Sequence, residues 1–360
     1  MKALLLAGLL ATAPVGATSV ATPRATTVSV ATEVAPARET ASRLAVPEKH
    51  RRTADQTYLT FPEWFLVFSP DENAELLEAD RPASTFPFFG HIRQFWSAYR
   101  QVIDATRAYP FNSEYHTMIG VIGVSTTVEY GLKGAYETLV GRLTELTSTP
   151  NATPEDRLAT AQARAYVEFV RVRPWYEFDF LRGLKALWTD TPWWGPDPLR
   201  KWERRYILTT EWLVKAAYGA ALEKATHSTF AKPEVTSYAV LDGPVEAMPD
   251  AGVPAPEQRA GNQALVALPR YQGFTTAAIA LARRGVGFVE IAGNTDVILA
   301  SVVVPVAQPA PAGVRVRIRQ PILTRPGYER RVFEVPVTQL GTWLAAHDAR
   351  GDRIEHVFDY

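Results

Sequence analysis

The residues of this chain best suited to chemistry are acids set beside tryptophans and tyrosines. Pro62-Glu63-Trp64, Pro174-Trp175-Tyr176-Glu177-Phe178, Trp202-Glu203 and Glu211-Trp212 fall in one half of the sequence, and eight of the nine tryptophans lie between Trp64 and Trp212. An aromatic wall with a few carboxylates suits a sugar, a quaternary amine or an aromatic metabolite. Aromatics at helical spacing more often fill a helical core. Glu129, Lys133 and Glu137 lie four apart and share a helix face. Exposed, they form an i,i+4 ladder worth roughly 0.3–0.5 kcal/mol per pair. Buried under aromatic rings, Lys133 becomes a base of depressed pKa flanked by carboxylates. Glu203-Arg204-Arg205 with Glu211 poses the same choice, between arginine forks that orient an anion and a solvated helix face. The ligand-binding candidates are Glu63, Trp64, Glu129, Lys133, Trp175, Tyr176, Glu177 and Arg204.

A second set is basic. Arg315, Arg317 and Arg319 alternate with Val314, Val316 and Ile318, so one face of a strand is cationic and the other apolar. Such a stripe meets an anionic polymer or lipid head groups, or it is the wet face of a half-covered sheet that resists edge-to-edge pairing. These three arginines are the partner-binding candidates.

Other chemistries are poorly represented. The six histidines show no paired metal-binding spacing, no G-x-S-x-G is present, Gly285-Val286-Gly287 is not a dinucleotide fingerprint, and there is no P-loop. The absence of cysteine removes disulfides, thiolate catalysis and iron–sulfur clusters. No metal, cofactor or catalytic residue is assigned on this basis. Lys+Arg and Asp+Glu are equal at 38 each, so no global charge steers the chain toward nucleic acid.

The elements that must position these residues follow in order. Lys2, the apolar run Ala3 to Ala11 and small residues ending at Ala17 read as a signal peptide over 1–17, or as an anchor to about residue 22. Export to the periplasm or medium is expected, with anchoring to the inner membrane as the alternative. Residues 18–52, rich in Ala, Thr, Val and Pro, read as a disordered tether. Residues 53–230 follow helical periodicity, with caps expected at Thr60-Phe61-Pro62-Glu63, Ser69-Pro70-Asp71-Glu72 and Asn151 to Asp156, and a long helix from Ser113 to Leu146. Gly120, Gly123, Gly131 and Gly134 inside it each cost roughly 1 kcal/mol against alanine and suggest close approach by a neighbouring helix. Residues 231–261 form a linker with a possible strand at Val235 to Leu241. Residues 262–360 switch to period two: hairpins are expected about Gly293-Asn294 and across Arg325-Pro326-Gly327, with helices near 274–283 and 340–349. The expected fold is α+β, an aromatic-rich helical domain followed by an elaborated ferredoxin-like sandwich on a mainly antiparallel sheet. No repeat shows at periods of 20 to 50 residues.

The strings Thr57-Tyr58-Leu59-Thr60-Phe61-Pro62-Glu63-Trp64, Gly131 to Glu137, Pro174 to Phe178 and Glu355-His356-Val357-Phe358-Asp359-Tyr360 resemble those of a group of bacterial proteins, exported or membrane-anchored, that carry no assigned activity. The resemblance covers the chain after about residue 53 and implies a bacterial source and a two-part architecture. The function expected is a non-enzymatic envelope protein that binds a ligand or partner. The alternatives are a metal-independent enzyme with a carboxylate, lysine and aromatic cleft, and an interaction module acting through Arg315 to Arg319. Membrane partners follow only if the N-terminal segment is retained.

Overall fold

In the computed structural model the described residues are 43–149, 151–227, 235–311 and 313–360; the expected signal and the tether up to residue 42 lie outside them. The last ten residues of the expected tether are ordered. Val46 packs with Val240 and Leu265, His50 stacks on Tyr238 at 4.1 Å, and the Val46 amide donates to Glu290. This segment, with a 3-10 turn at Glu48–His50, is docked on the sheet beneath by these contacts and by the Arg52 amide donating to the Ala292 carbonyl.

The helical periodicity gives α1 (Gln56–Leu59), α2 (Phe65–Glu78), α3 (Phe88–Thr106), α4 (Ser113–Tyr136), α5 (Arg142–Leu146), α6 (Pro154–Val170), α7 (Phe180–Thr189) and α8 (Pro198–His227). A single π-helical turn, Glu137–Gly141, joins α4 to α5, so the long helix expected from Ser113 to Leu146 has one wide turn in it. Thr153 and Asp156 form a reciprocal capping box at the start of α6. The two other expected caps are not made. Pro70 lies inside α2, and the Ser69 hydroxyl is taken by His91 and Tyr130; Thr60 donates back to the Gln56 carbonyl. Of the four glycines in α4, Gly123 lies against Phe95 and Trp96 and Gly134 against Phe88, where a Cβ would clash with α3; Gly120 and Gly131 face open space.

The C-terminal part contains β1 (Thr236–Asp242), β2 (Gln258–Ala260), β3 (Gln263–Pro269), α9 (Gln272–Arg283), β4 (Gly287–Ile291), β5 (Val297–Pro305), β6 (Arg315–Pro321), β7 (Tyr328–Pro336), α10 (Leu340–Ala349) and β8 (Arg353–Val357). The fold is α+β, but the single expected sheet is resolved into two antiparallel ones, ordered β2-β3-β1-β4 and β6-β7-β5-β8. The possible strand near Val235 is the inner strand β1. The hairpin about Gly293-Asn294 is not formed: that turn carries the chain from one sheet to the other, held by Asn294 donating to the carbonyls of Val297 and Tyr360. The hairpin across Arg325-Pro326-Gly327 is formed by β6 and β7.

The two sheets are two copies of one unit. In each, a hairpin strand pairs with the first strand, a helix follows, and the last strand pairs on the other side of the first. Ala239 lies opposite Val266 and Ile291 just as Ala300 lies opposite Phe333 and Val357, and the register slips after the next residue in both copies. The spacing from Ala239 to Ala300 exceeds the window of the common short repeats. Each helix reaches into the other copy: Thr275 of α9 accepts from the Val357 amide of β8 at 2.9 Å, and Gly341 of α10 lies against the Val286 carbonyl just before β4, where a Cβ would clash.

One apolar cluster runs from the helical part into both sheets, through Tyr58, Phe61, Phe68 and Phe95 to Val302, Phe333 and Phe358. Polar contacts cross the same boundary, with Tyr58 donating to Glu334 at 3.1 Å and the Leu299 amide to Thr57 at 2.9 Å.

Candidate functional site

The α4 and α8 helices run antiparallel. Their cross-contacts fall in one descending series: Ser125 with Tyr218, Glu129 with Lys215, Lys133 with Glu211, Glu137 with Arg204. The charges recur at intervals of four along α4 and of seven and four along α8, which puts each set on one face, and the two charged faces meet. The expected ladder along α4 is therefore replaced by pairs between helices. Together with α2 and α6 these faces border a cleft of about 1130 Å³.

At its centre is a charge quartet. Both Glu211 oxygens accept from Lys133 Nζ, at 2.8 and 3.0 Å; Lys215 lies 3.1 Å from Glu211 and 2.9 Å from Glu129. Burial pushes the Glu211 carboxyl up, but the two ammonium groups outweigh it and hold it well below the usual carboxylate range. Burial likewise opposes the charge on Lys215, and Glu129 with Glu211 overcomes it, keeping that lysine charged. Lys133 thus pairs across the helices with the Glu211 carboxylate and not with the acids of its own helix. Around the quartet stand Phe86, Phe88, Tyr130, Tyr166, Phe178 and Trp212. Lys133 lies 5.9 Å over the Phe88 ring and Lys215 5.5 Å over Tyr166.

One end of the cleft is closed by a buried network. Glu137, on the π turn, grips Arg204 bidentately at 2.9 and 3.1 Å, and Arg204 also donates to Glu203. Arg200 spans Glu203 at 3.2 Å and Asp156 at 3.0 Å. Gly141 supplies the space for the Glu137 carboxylate, which a Cβ there would strike. Arg204 is neither a free anion clamp nor solvated, because its fork is filled by carboxylates of the chain itself. Behind it, outside the cleft, Glu155 accepts from Lys201 and Arg205.

A buried polar chain leaves the cleft through Tyr130. Its hydroxyl lies 2.8 Å from Ser69, which lies 3.0 Å from His91 Nδ1; His91 Nε2 is 3.6 Å from Glu72, and Glu72 accepts from Arg330 at 3.1 Å. Burial pushes Glu72 up to about 7, and burial with Arg330 pushes His91 down to about 3. The order serine, histidine, glutamate echoes a nucleophilic triad, but Ser69 is buried and roofed by Tyr130, so no substrate atom reaches it.

Of the sequence candidates, Glu129, Lys133 and Arg204 are brought together here; the others lie elsewhere. Trp64 stacks on His356 with ring centroids 3.4 Å apart, at the boundary with the sheets. Glu63 faces Arg270 and Asp359, and burial pushes its carboxyl up to about 7 despite Arg270. Trp175, Tyr176 and Glu177 form a short 3-10 turn beside α8, with Trp175 at 5.5 Å from Tyr218 and Glu177 exposed. The basic stripe is broken by a register slip in the edge strand β6 that leaves Arg317 over Tyr58 and beside Glu334, while Arg315 also faces Glu334 and Arg319 pairs with Glu329. Beyond the stripe, Arg325 is exposed in the turn, and Arg330 and Arg331 are buried. Sequence reasoning missed Lys215, Tyr130 and Tyr166. The signal for Lys215 was present, since it lies four residues after Glu211 as Lys133 does after Glu129.

Comparison with protein-family models, with curated proteins and with solved structures finds no match to this chain.

Proposed function

We propose that the protein is a non-enzymatic ligand-binding protein of the bacterial envelope, and that its cleft takes a small zwitterion with a flat apolar body. The observation that carries this reading is the quartet Glu129–Lys215–Glu211–Lys133 set among aromatic rings in a cleft of about 1130 Å³. Alternating charges at fixed positions complement a molecule carrying both signs, and the rings offer stacking faces. Every charge of the quartet is already paired, which argues against its use in proton transfer or nucleophilic attack. The envelope assignment rests on Lys2, the apolar run that follows and the small residues ending at Ala17.

The test is a thermal-shift and calorimetric screen with L-tryptophan, L-phenylalanine, glycine betaine and a methyl glucoside. At a hundredfold excess over Kd a true ligand adds about 2.7 kcal/mol of stability, a shift of several degrees. The aromatic amino acids should bind, and Tyr166→Leu and Glu129→Gln, each assayed well below its own free-protein melting temperature, should weaken them. Failure of both aromatic zwitterions to bind, or binding unchanged in both variants, overturns the reading.

A further inference from the structure

We propose that the outer face of α4 and α8 rests in the hydrocarbon of a lipid bilayer. This inference is independent of the cleft reading and comes from an inversion of polarity. On α8, every charged residue from Arg200 to Lys215 is buried or half-buried, whereas the exposed positions from Leu199 to Ala221, including Tyr206, Leu213, Val214 and Ala217, carry no charge. At 1.5 Å per residue this uncharged face is about 33 Å long. On α4 and its continuation, Val121, Val124, Val128, Leu132, Leu139 and Leu143 are exposed at helical spacing. Between Met118 and Leu143 the exposed residues include two charges, Glu129, tied to Lys215 at 2.9 Å, and Arg142 near the far end. A helix surface that meets water has the opposite arrangement, with charge outward and apolar residues inward. Charge paired inside and apolar side chains outside is the arrangement that a hydrocarbon solvent selects.

The polar atoms on the face agree. Its exposed threonines turn their hydroxyls back to their own helices, Thr138 to the Gly134 carbonyl at 2.7 Å and Thr210 to the Tyr206 carbonyl at 2.9 Å. A protein partner would be met by a polar rim with about one hydrogen bond per 100–200 Å²; this stripe keeps its hydroxyls to itself. Trp193 and Trp194 are exposed just before α8 and Phe111 just before α4, at opposite ends of the antiparallel pair, where aromatic rings sit at a membrane–water boundary. Arg182 and Lys185 are exposed on α7, which packs beside α8, and can meet anionic head groups. The sequence before residue 43 opens Met1-Lys2 followed by an apolar run, which, where it is retained as an anchor, holds the chain at a membrane. Among the described residues no helix is long and apolar enough to cross a membrane, so the face lies along one leaflet, as amphipathic surface helices do.

The chain has no cysteine, which allows single-site labelling of the full-length protein. Val128→Cys, Val214→Cys and, on the exposed side of α6, Ala161→Cys would each carry an environment-sensitive nitrobenzoxadiazole probe. Each labelled protein is mixed with phosphatidylcholine/phosphatidylglycerol vesicles containing lipids spin-labelled within the acyl chains. Probes at 128 and 214 should brighten on addition of vesicles and be quenched by the acyl-chain label, and the probe at 161 should do neither. The double substitution Leu132→Glu and Leu213→Glu, both at exposed positions, should keep the melting temperature and lower vesicle partitioning by roughly tenfold or more per charge. Vesicle binding with unquenched probes at 128 and 214 would mean that the N-terminal segment alone holds the membrane, and it overturns the proposal. So does a probe at 128 or 214 that is shielded without vesicles in step with a dimeric mass, because a second copy then covers the face.

Discussion

Glutamate 211 is the keystone of the charge quartet, and its replacement by glutamine gives a worked test of that arrangement. Two lysine nitrogens lie within 3.1 Å of its oxygens. At about 3 Å and an effective dielectric of about 20, each pair attracts by about 5 kcal/mol before desolvation. The Glu211 side chain is 15% exposed, so solvent screens little of this. Desolvation takes back much of the gain while the pairs are intact, but Glu211→Gln removes the carboxylate that Lys133 pairs with and leaves Lys215 with Glu129 alone. Removing one member of such a buried set costs about 3–5 kcal/mol, a large part of a typical folding stability of about 5–15 kcal/mol. The sign of the pH dependence follows from the direction of the shift. The folded-state pKa lies below the ordinary value of 4.5, so the stabilisation is fully present above 4.5 and is lost as pH falls toward the folded value. Guanidinium unfolding followed by tryptophan fluorescence should show the full deficit of Glu211→Gln at pH 7, unchanged at pH 5 and shrinking below about 4.5. Adding Lys133→Met to the variant should recover about 1–3 kcal/mol relative to additivity. A deficit under about 1 kcal/mol at pH 7, or one that does not shrink in acid, would refute the quartet as a mutually dependent unit.

Two further outcomes test the helical part and its boundary with the sheets. Glu63 has a folded-state pKa raised from 4.5 to about 7, so its ionisation lowers stability as pH rises through that window; Glu63→Gln should therefore raise the melting temperature relative to the parent at pH 8 and leave it unchanged at pH 4, and a constant difference at both would discount the burial of this carboxyl. A Cβ on Gly123 would lie 2.5 Å from the Phe95 ring, whereas one on Gly131 meets open space. Gly123→Ala should cost about 1–3 kcal/mol and Gly131→Ala should add up to about 1 kcal/mol in denaturant titrations; a reversed order would mean that α3 does not pack on α4 at Gly123.

The residues of the cleft were partly legible before the structure. Glu129, Lys133 and Arg204 stand out by spacing and composition, because a helix places every fourth residue on one face whatever surrounds it. Lys215, Tyr130 and Tyr166 enter the cleft only because α8, α4 and α6 meet there, and a partner on another helix has no signature in the local sequence. Glu63 and Trp64 carry the same aromatic–acid signature as the cleft residues but point toward His356 and Asp359, more than 290 residues away in the chain. The strand alternation around Arg315 likewise predicts a continuous stripe, and a single slipped residue in β6 breaks it.

Local chemistry settled what could be settled without partners: the helices from Gln56 to His227, the capping box at Thr153, the strands of period two beyond residue 262 and the hairpin at Arg325-Pro326-Gly327. These depend on hydrogen bonds and dihedral preferences that span a few residues. Pairing across distance was decided by the tertiary structure, which placed β4 and β5 in different sheets and made two copies of one unit from a sequence without a visible repeat. The tertiary structure also decided which face of α8 is covered. Its sequence states that Arg200, Arg204, Glu211 and Lys215 share one side and Tyr206, Leu213 and Ala217 another, and periodicity alone is symmetric between the two choices. Carboxylates supplied by α4, the turn after it and α6 to meet the cations of α8 turned the charged side inward, leaving the apolar side as the surface.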